Sequence, residues 1–150
     1  MTHQSEITQP LTWNGSQFII RARTSETNDA LGIFESIDQP SEGPPRHIHD
    51  DADETFVILS GEAEFWLNGT LSQHSAGETV FIPRGAEHTY RVLGNQPARM
   101  LTIMTPGGFE DFFTEMAEGG YRIPQDMGPI MEIAARYQLR FTGPPLAAAA

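Results

Sequence analysis

His47 and His49 flank Ile48. In an extended strand successive side chains leave by opposite faces, so the two imidazoles share one face and Ile48 turns away. Two imidazoles aimed at one point are the beginning of a divalent-cation site. Beyond the acidic run from Asp50 to Asp53, Glu54 opens a second apolar segment and falls on the same face as Phe56 and Ile58, the side that a closed barrel turns inward. Its carboxylate can meet the histidines there, with Asp51 and Asp53 as the alternative carboxylates. A third nitrogen comes from His88, at the end of the segment that begins at Gly77. Three imidazoles and one carboxylate leave one or two coordination positions open, which means chemistry or ligand binding rather than a closed structural ion. Because the ligands must lose their protons, occupancy is expected to fall below the ordinary histidine pKa of ~6.5.

These side chains need a rigid frame, and the rest of the chain supplies strand signals. Leu11-Thr12-Trp13, Phe18-Ile19-Ile20 and Leu31-Gly32-Ile33-Phe34 are short apolar bursts separated by polar breaks, the pattern of an all-β sandwich or barrel. The proline- and glycine-rich segment 39–45 then delivers the chain to His47 as a loop. Ala63 to Leu67 ends in Asn68-Gly69, a hairpin signal, so Thr70-Leu71-Ser72 returns antiparallel. Pro83 and Gly85 fit the second and fourth positions of a type I turn that projects His88. His88, Tyr90 and Val92 share a face, and Tyr90 joins Phe56, Ile58 and Phe65 as a candidate wall of a substrate pocket. The last barrel strand runs over 99–104, with either Met100 and Met104 or Leu101 and Ile103 inward.

After Pro106 the period changes from two to 3.6. Phe109, Phe112, Phe113 and Met116 lie on one face of a helix that Gly119-Gly120 ends. Ile130, Ile133, Ala134 and Tyr137 repeat the spacing in a second helix, for which Asp126 is the N-cap candidate. The expected organisation is therefore a β-barrel over 1–104, a helical extension of the same domain over 105–140, and a tail over 141–150. The helices are expected to pack on the barrel wall or a second subunit or to form a lid over its mouth, and His3 and His74 to lie at the surface.

The two segments that carry the ligands, His-x-His-x4-Glu-x6-Gly from His47 to Gly61 and Gly-x5-Pro-x-Gly-x2-His from Gly77 to His88, resemble the two signature motifs of the cupin superfamily. Two positions depart from that pattern. Gly43 stands four residues before His47 rather than six, and Val92 replaces the asparagine that ends the second motif. The resemblance implies a double-stranded β-helix, or jelly-roll, barrel. It also implies a divalent metal ion (iron, manganese, nickel, cobalt, copper or zinc) held by His47, His49, Glu54 and His88, since Glu54 alone among the acids fits the family spacing.

The C-terminal pattern, Thr105 to Phe113 and then Ile133 to Tyr137, is similar to that of small single-domain cupins grouped with quercetin 2,3-dioxygenase. That implies an oxidoreductase, a dioxygenase acting on a flavonol-like or other enolic small molecule, with Glu54 as the catalytic base. A non-redox isomerase, epimerase or lyase would use the same ligands as a Lewis acid with Tyr90 in an acid–base pair, and a binding module would use them only to anchor an anion. Cupins of this kind are commonly homodimers.

Composition narrows the partners. A formal net charge of −11 and nine scattered arginines give no basic patch for a nucleic-acid backbone. Without cysteine there is no disulfide, thiolate ligand or thiol nucleophile. No run approaches the ~20 apolar residues of a membrane helix. A soluble, cytoplasmic protein without membrane partners is expected.

Overall fold

The computed structural model describes residues 9–146. Eleven strands and two helices follow one another in the order β1 (Leu11–Trp13), β2 (Ser16–Ala22), β3 (Gly32–Asp38), β4 (Pro45–His49), β5 (Asp53–Ser60), β6 (Glu62–Leu67), β7 (Thr70–Ser75), β8 (Thr79–Ile82), β9 (His88–Leu93), β10 (Ala98–Thr105), α1 (Glu110–Gly119), α2 (Met127–Arg136) and β11 (Leu139–Pro145). Two antiparallel sheets form, one ordered β1-β2-β3-β10-β5-β8 and the other β11-β4-β9-β6-β7. From β3 to β6 and again from β7 to β11 consecutive strands alternate between the sheets, and the chain has the expected jelly-roll architecture.

Period-two alternation fixes which residues face the interior. In the six-stranded sheet the register Met104↔Glu54, Thr102↔Phe56 and Met100↔Ile58 turns these residues inward, which settles β10 in favour of its methionines. In the five-stranded sheet Phe65↔Tyr90 and Ala63↔Val92 do the same. The interior divides into two apolar clusters. One, around Phe56, Ile58, Phe65, Val80 and Met100, fills the end of the barrel near the β6–β7 hairpin. The other joins Trp13, Phe18 and Phe34 to the apolar faces of α1 and α2.

Both helices fall where the 3.6 period places them. Phe112, Phe113 and Met116 of α1 are buried, and Gly120 ends the helix with φ +61°. Asp126 stands at the N-cap of α2, but its carboxylate accepts from the Arg122 N–H (2.8 Å) instead of capping the helix.

Two local expectations are corrected. Residues 139–145, the later part of which was expected to be tail, form β11 against β4 with Leu139↔His49 and Phe141↔His47. Because β11 is the edge strand, Pro144 and Pro145 interrupt no interior ladder. The turn before His88 is displaced by one residue: Ala86 N–H donates to Pro83 O (3.1 Å), which makes Pro83 the first residue and Gly85 the third. Gly85 has φ +83°, the type II geometry that favours glycine at that place. His3 lies outside the described residues, and His74 is half-buried on β7.

Candidate metal centre

Strand β4 carries His47 and His49 on its inner face, and β9 lies beside it with His88 directly opposite His47. The two rings stand 4.3 Å apart between centroids. Glu54 arrives from the facing sheet, at the start of β5, so the cluster spans the barrel interior. One ligand-type atom from each of the four side chains lies within 4.8 Å of all the others, and all four residues are buried. The other acids of the turn are used elsewhere. Asp53 binds Arg84 through its backbone N–H (2.8 Å) and guanidinium (3.2 Å), tying the start of β5 to the turn that presents His88. Asp50 pairs with Arg140 (2.7 Å) across β4 and β11, and Asp51 is exposed. Glu54 is thus the acid of this run that enters the barrel.

Hydrogen bonds orient the rings. His47 Nδ1 lies 2.8 Å from Pro45 O and His88 Nδ1 3.0 Å from Ala86 O. A carbonyl only accepts, so each Nδ1 carries the proton, and both Nε2 atoms are turned toward the cluster. His88 Nε2 then meets Glu54 Oε1 at 2.8 Å. His49 Nε2 is buried without a hydrogen-bond partner and lies 3.6 Å from Glu54 Oε2. An unpartnered buried nitrogen beside a carboxylate is unfavourable, and a cation shared among them would satisfy it. The donor set, three imidazoles and one carboxylate, suits a borderline divalent metal.

Charge follows the same geometry. Burial holds His47 well below and His49 below the ordinary imidazole range, so both are neutral and ligand-competent. Burial would raise Glu54, but His49 and His88 outweigh it and the carboxyl is lowered. Burial would likewise lower His88, but the hydrogen bond and charge of Glu54 raise it.

The cluster opens into a cavity of about 70 Å³ whose walls are largely aromatic. Among the residues expected to line a pocket, Phe56 and Tyr90 do so, whereas Ile58 and Phe65 are packed in the apolar cluster behind them. Phe109, Phe112 and Phe113, expected either to pack on the barrel wall or a second subunit or to form a lid over its mouth, also line it. Phe109 sits edge-on to His49 at 4.6 Å. Its place is fixed by the next residue, because the buried Glu110 carboxylate accepts from the N–H groups of Thr24 (2.6 Å) and Gly108 (3.1 Å) and from the Thr24 hydroxyl. Asp38, Asn14, Ser16 and Thr102 add to the polar lining. The strand-end position of Asp38 carried no chemical signal, since its partners Ser16, Ser36 and Tyr90 come from 2 to 52 residues away.

Similar proteins fit this picture. The chain is 32% identical over 83 residues to quercetin 2,3-dioxygenase of Bacillus subtilis (strain 168), a match covering 52% of this chain and 24% of that relative. It therefore spans only about a quarter of the relative's length. Among solved structures, the Streptomyces nucleoside dehydratase Pac13 superposes with TM-score 0.64 at 12% identity, over 97% of this chain and 93% of that one. The polyketide cyclase RemF from Streptomyces resistomycificus gives 0.59 at 21% identity, over 70% and 80%. The Cupin domain family matches residues 34–104, a span that contains all four side chains of the cluster, and in sequence and fold the chain is similar to the cupin superfamily.

Proposed function

We propose that the protein is a metal-dependent dioxygenase that opens an enolic, flavonol-like substrate. The observation that carries this is the buried convergence of His47, His49, Glu54 and His88 at one end of an aromatic cavity, with one carboxylate that is both ionised and close to a proton carrier. A divalent metal there would supply Lewis acidity toward a substrate oxygen and one-electron chemistry toward dioxygen. The four side chains hold the charge balance of that site. Glu54 Oε1, held 2.8 Å from His88 Nε2, takes the proton of the enol hydroxyl. Phe109 and Phe56 keep water from the deprotonated substrate, which is then consumed by added dioxygen rather than reprotonated. The similarity to quercetin 2,3-dioxygenase supports the substrate class.

A second use of the same site, non-redox rearrangement of an enolic polyketide, is favoured by one observation: Tyr90 and Asp38 both line the cavity and are joined as an acid–base pair, the phenol donating to Asp38 Oδ2 (3.1 Å). The fold shared with a polyketide cyclase is in keeping with it. Oxygen separates the two. Protein loaded with iron, manganese, nickel, cobalt or copper is incubated anaerobically with a flavonol or a diketone, and oxygen is then admitted. Oxygen uptake matched to substrate loss is expected. No uptake with any metal and substrate pair overturns the dioxygenase, and substrate conversion before oxygen is admitted establishes the non-redox reaction.

A further inference from the structure

Away from the metal ligands, the cavity has a second polar pole. Asp38, at the end of β3, is 2% exposed and lines the same cavity as His47, His49 and Glu54. Three hydroxyls surround its carboxylate: Ser16 Oγ donates to Oδ1 (2.6 Å), while Ser36 Oγ (2.9 Å) and Tyr90 OH (3.1 Å) donate to Oδ2. All three donors are neutral. Burying a carboxylate against neutral groups is unfavourable, and a barrel that needed only packing would place an apolar residue there. The arrangement also leaves one position unused. A carboxylate offers about four acceptor sites, two on each oxygen; Oδ2 has both filled and Oδ1 has one. Aromatic side chains line the rest of the cavity, with Phe34 edge-on to Phe113 (4.7 Å) and Phe56 edge-on to Tyr90 (5.7 Å).

We infer that Asp38 is a specificity-determining residue: its Oδ1 accepts a hydrogen bond from a hydroxyl on the end of the substrate ring opposite the enol. Ser16, Ser36 and Tyr90 are positioning residues that hold the carboxylate in place. The substrate class narrows accordingly, to a planar enolic ring with a hydroxyl at each end. The assignment rests on the enol-binding function proposed above.

Kojic acid and allomaltol test it. Both are hydroxypyranones with the same chelating enol and carbonyl, and they differ by one hydroxyl, carried by kojic acid on the far side of the ring. Binding of each to zinc-loaded protein is measured by calorimetry at pH 8 under anaerobic conditions, so turnover plays no part. The wild type is expected to prefer kojic acid by roughly tenfold or more, as a hydrogen bond to a charged group allows. Asp38→Asn is expected to reduce that preference at least fivefold. Leu71→Ala, at an exposed position of β7 outside the cavity, keeps it. Equal affinities in the wild type, or an undiminished preference in Asp38→Asn, overturn the role of Asp38 while leaving the enol site standing. Failure of either compound to bind the zinc-loaded wild type overturns both. Discrimination without any oxygen uptake by the protein removes the dioxygenase alone.

Discussion

His49 Nε2 is the atom in the cluster that most needs a cation, because His47 and His88 already use one nitrogen each on a carbonyl and His88 uses the other on Glu54. Replacing it tests ligation with the least disturbance to neighbouring hydrogen bonds. His49→Gln is expected to keep the fold and to lower metal affinity by at least 10- to 100-fold, the range found for lesser changes around bound metals. Elemental analysis of wild type and variant purified side by side decides it, and equal metal content would remove His49 from the ligand set. The same imidazoles set a pH dependence in metal-free protein. Their folded values lie below ~6.5, so on acidification the unfolded chain takes up protons first and stability falls, by up to about 1.4 kcal/mol per pH unit for each of His47 and His49. Asp38, raised by burial, opposes one of them above about pH 4, because the folded state keeps a proton the unfolded state has released. Above about 6.5 the sign reverses. Glu54 raises His88 against burial, and the stability this contributes is lost as the pH rises through its folded value. The melting temperature of chelator-treated protein is therefore expected to peak near pH ~6.5; a steady rise from pH 6.5 to 5 would contradict the burial of neutral His47 and His49.

Each ligand-bearing element is held from outside the two motifs. Gly43 lets the 39–45 loop lie against β9: a Cβ there would sit inside the van der Waals shell of the Tyr90 carbonyl oxygen. That contact gives a role to the glycine that departs from the family spacing. Gly43→Ala must push β4 and β9 apart, and it is expected to destabilise by roughly 1–3 kcal/mol, in the range of core overpacking. A denaturant midpoint unchanged from wild type would show that the loop shifts freely. Much of this organisation was legible in the amino-acid sequence. His47, His49 and Glu54 could be placed on inner faces because strand alternation is strict, and α1 could be placed because Phe109, Phe112, Phe113 and Met116 repeat at helical spacing. What was not legible depended on distant partners. Strand β11 has a Gly-Pro-Pro composition that locally signals a turn, and only its pairing with β4, 90 residues away at Asp50 and Arg140, makes it a strand. Asp38 reads as the polar end of a strand until Tyr90 is brought across the barrel to meet it.

The two sheets differ in how they finish their outer faces. On the five-stranded sheet, charged groups cover part of the exterior, where Arg46 lies over the Trp66 ring (4.0 Å) and Arg91 pairs with Glu64 (2.9 Å), while Leu71 on the edge strand is 54% exposed. On the six-stranded sheet, Ile19, Ile33, Ile37, Val57, Leu101 and Ile103 point outward and are only half-buried, and Phe81 on the edge strand is 57% exposed. The face carries none of the chain's negative excess, since Glu35 lies between Arg21 (2.9 Å) and Arg99 (2.7 Å). A chain of net charge −11 repels its own copies over most surfaces, but this face escapes that repulsion. Its extent is also adequate. Six strands spaced ~4.8 Å apart and about six residues long at ~3.4 Å present roughly 600 Å² of projected face, the order of the ~800 Å² per partner in a standard interface. A second copy, as the sequence resemblance implies, would meet the first about a two-fold axis, apolar face to apolar face. Light scattering of the wild type is expected to give twice 16.6 kDa. Ile103→Lys, which sets a like charge from each copy into the contact, is expected to give the monomer mass with the metal cluster intact, because Ile103 faces away from it. A wild type that remains monomeric at tens of micromolar would leave this face without a partner copy.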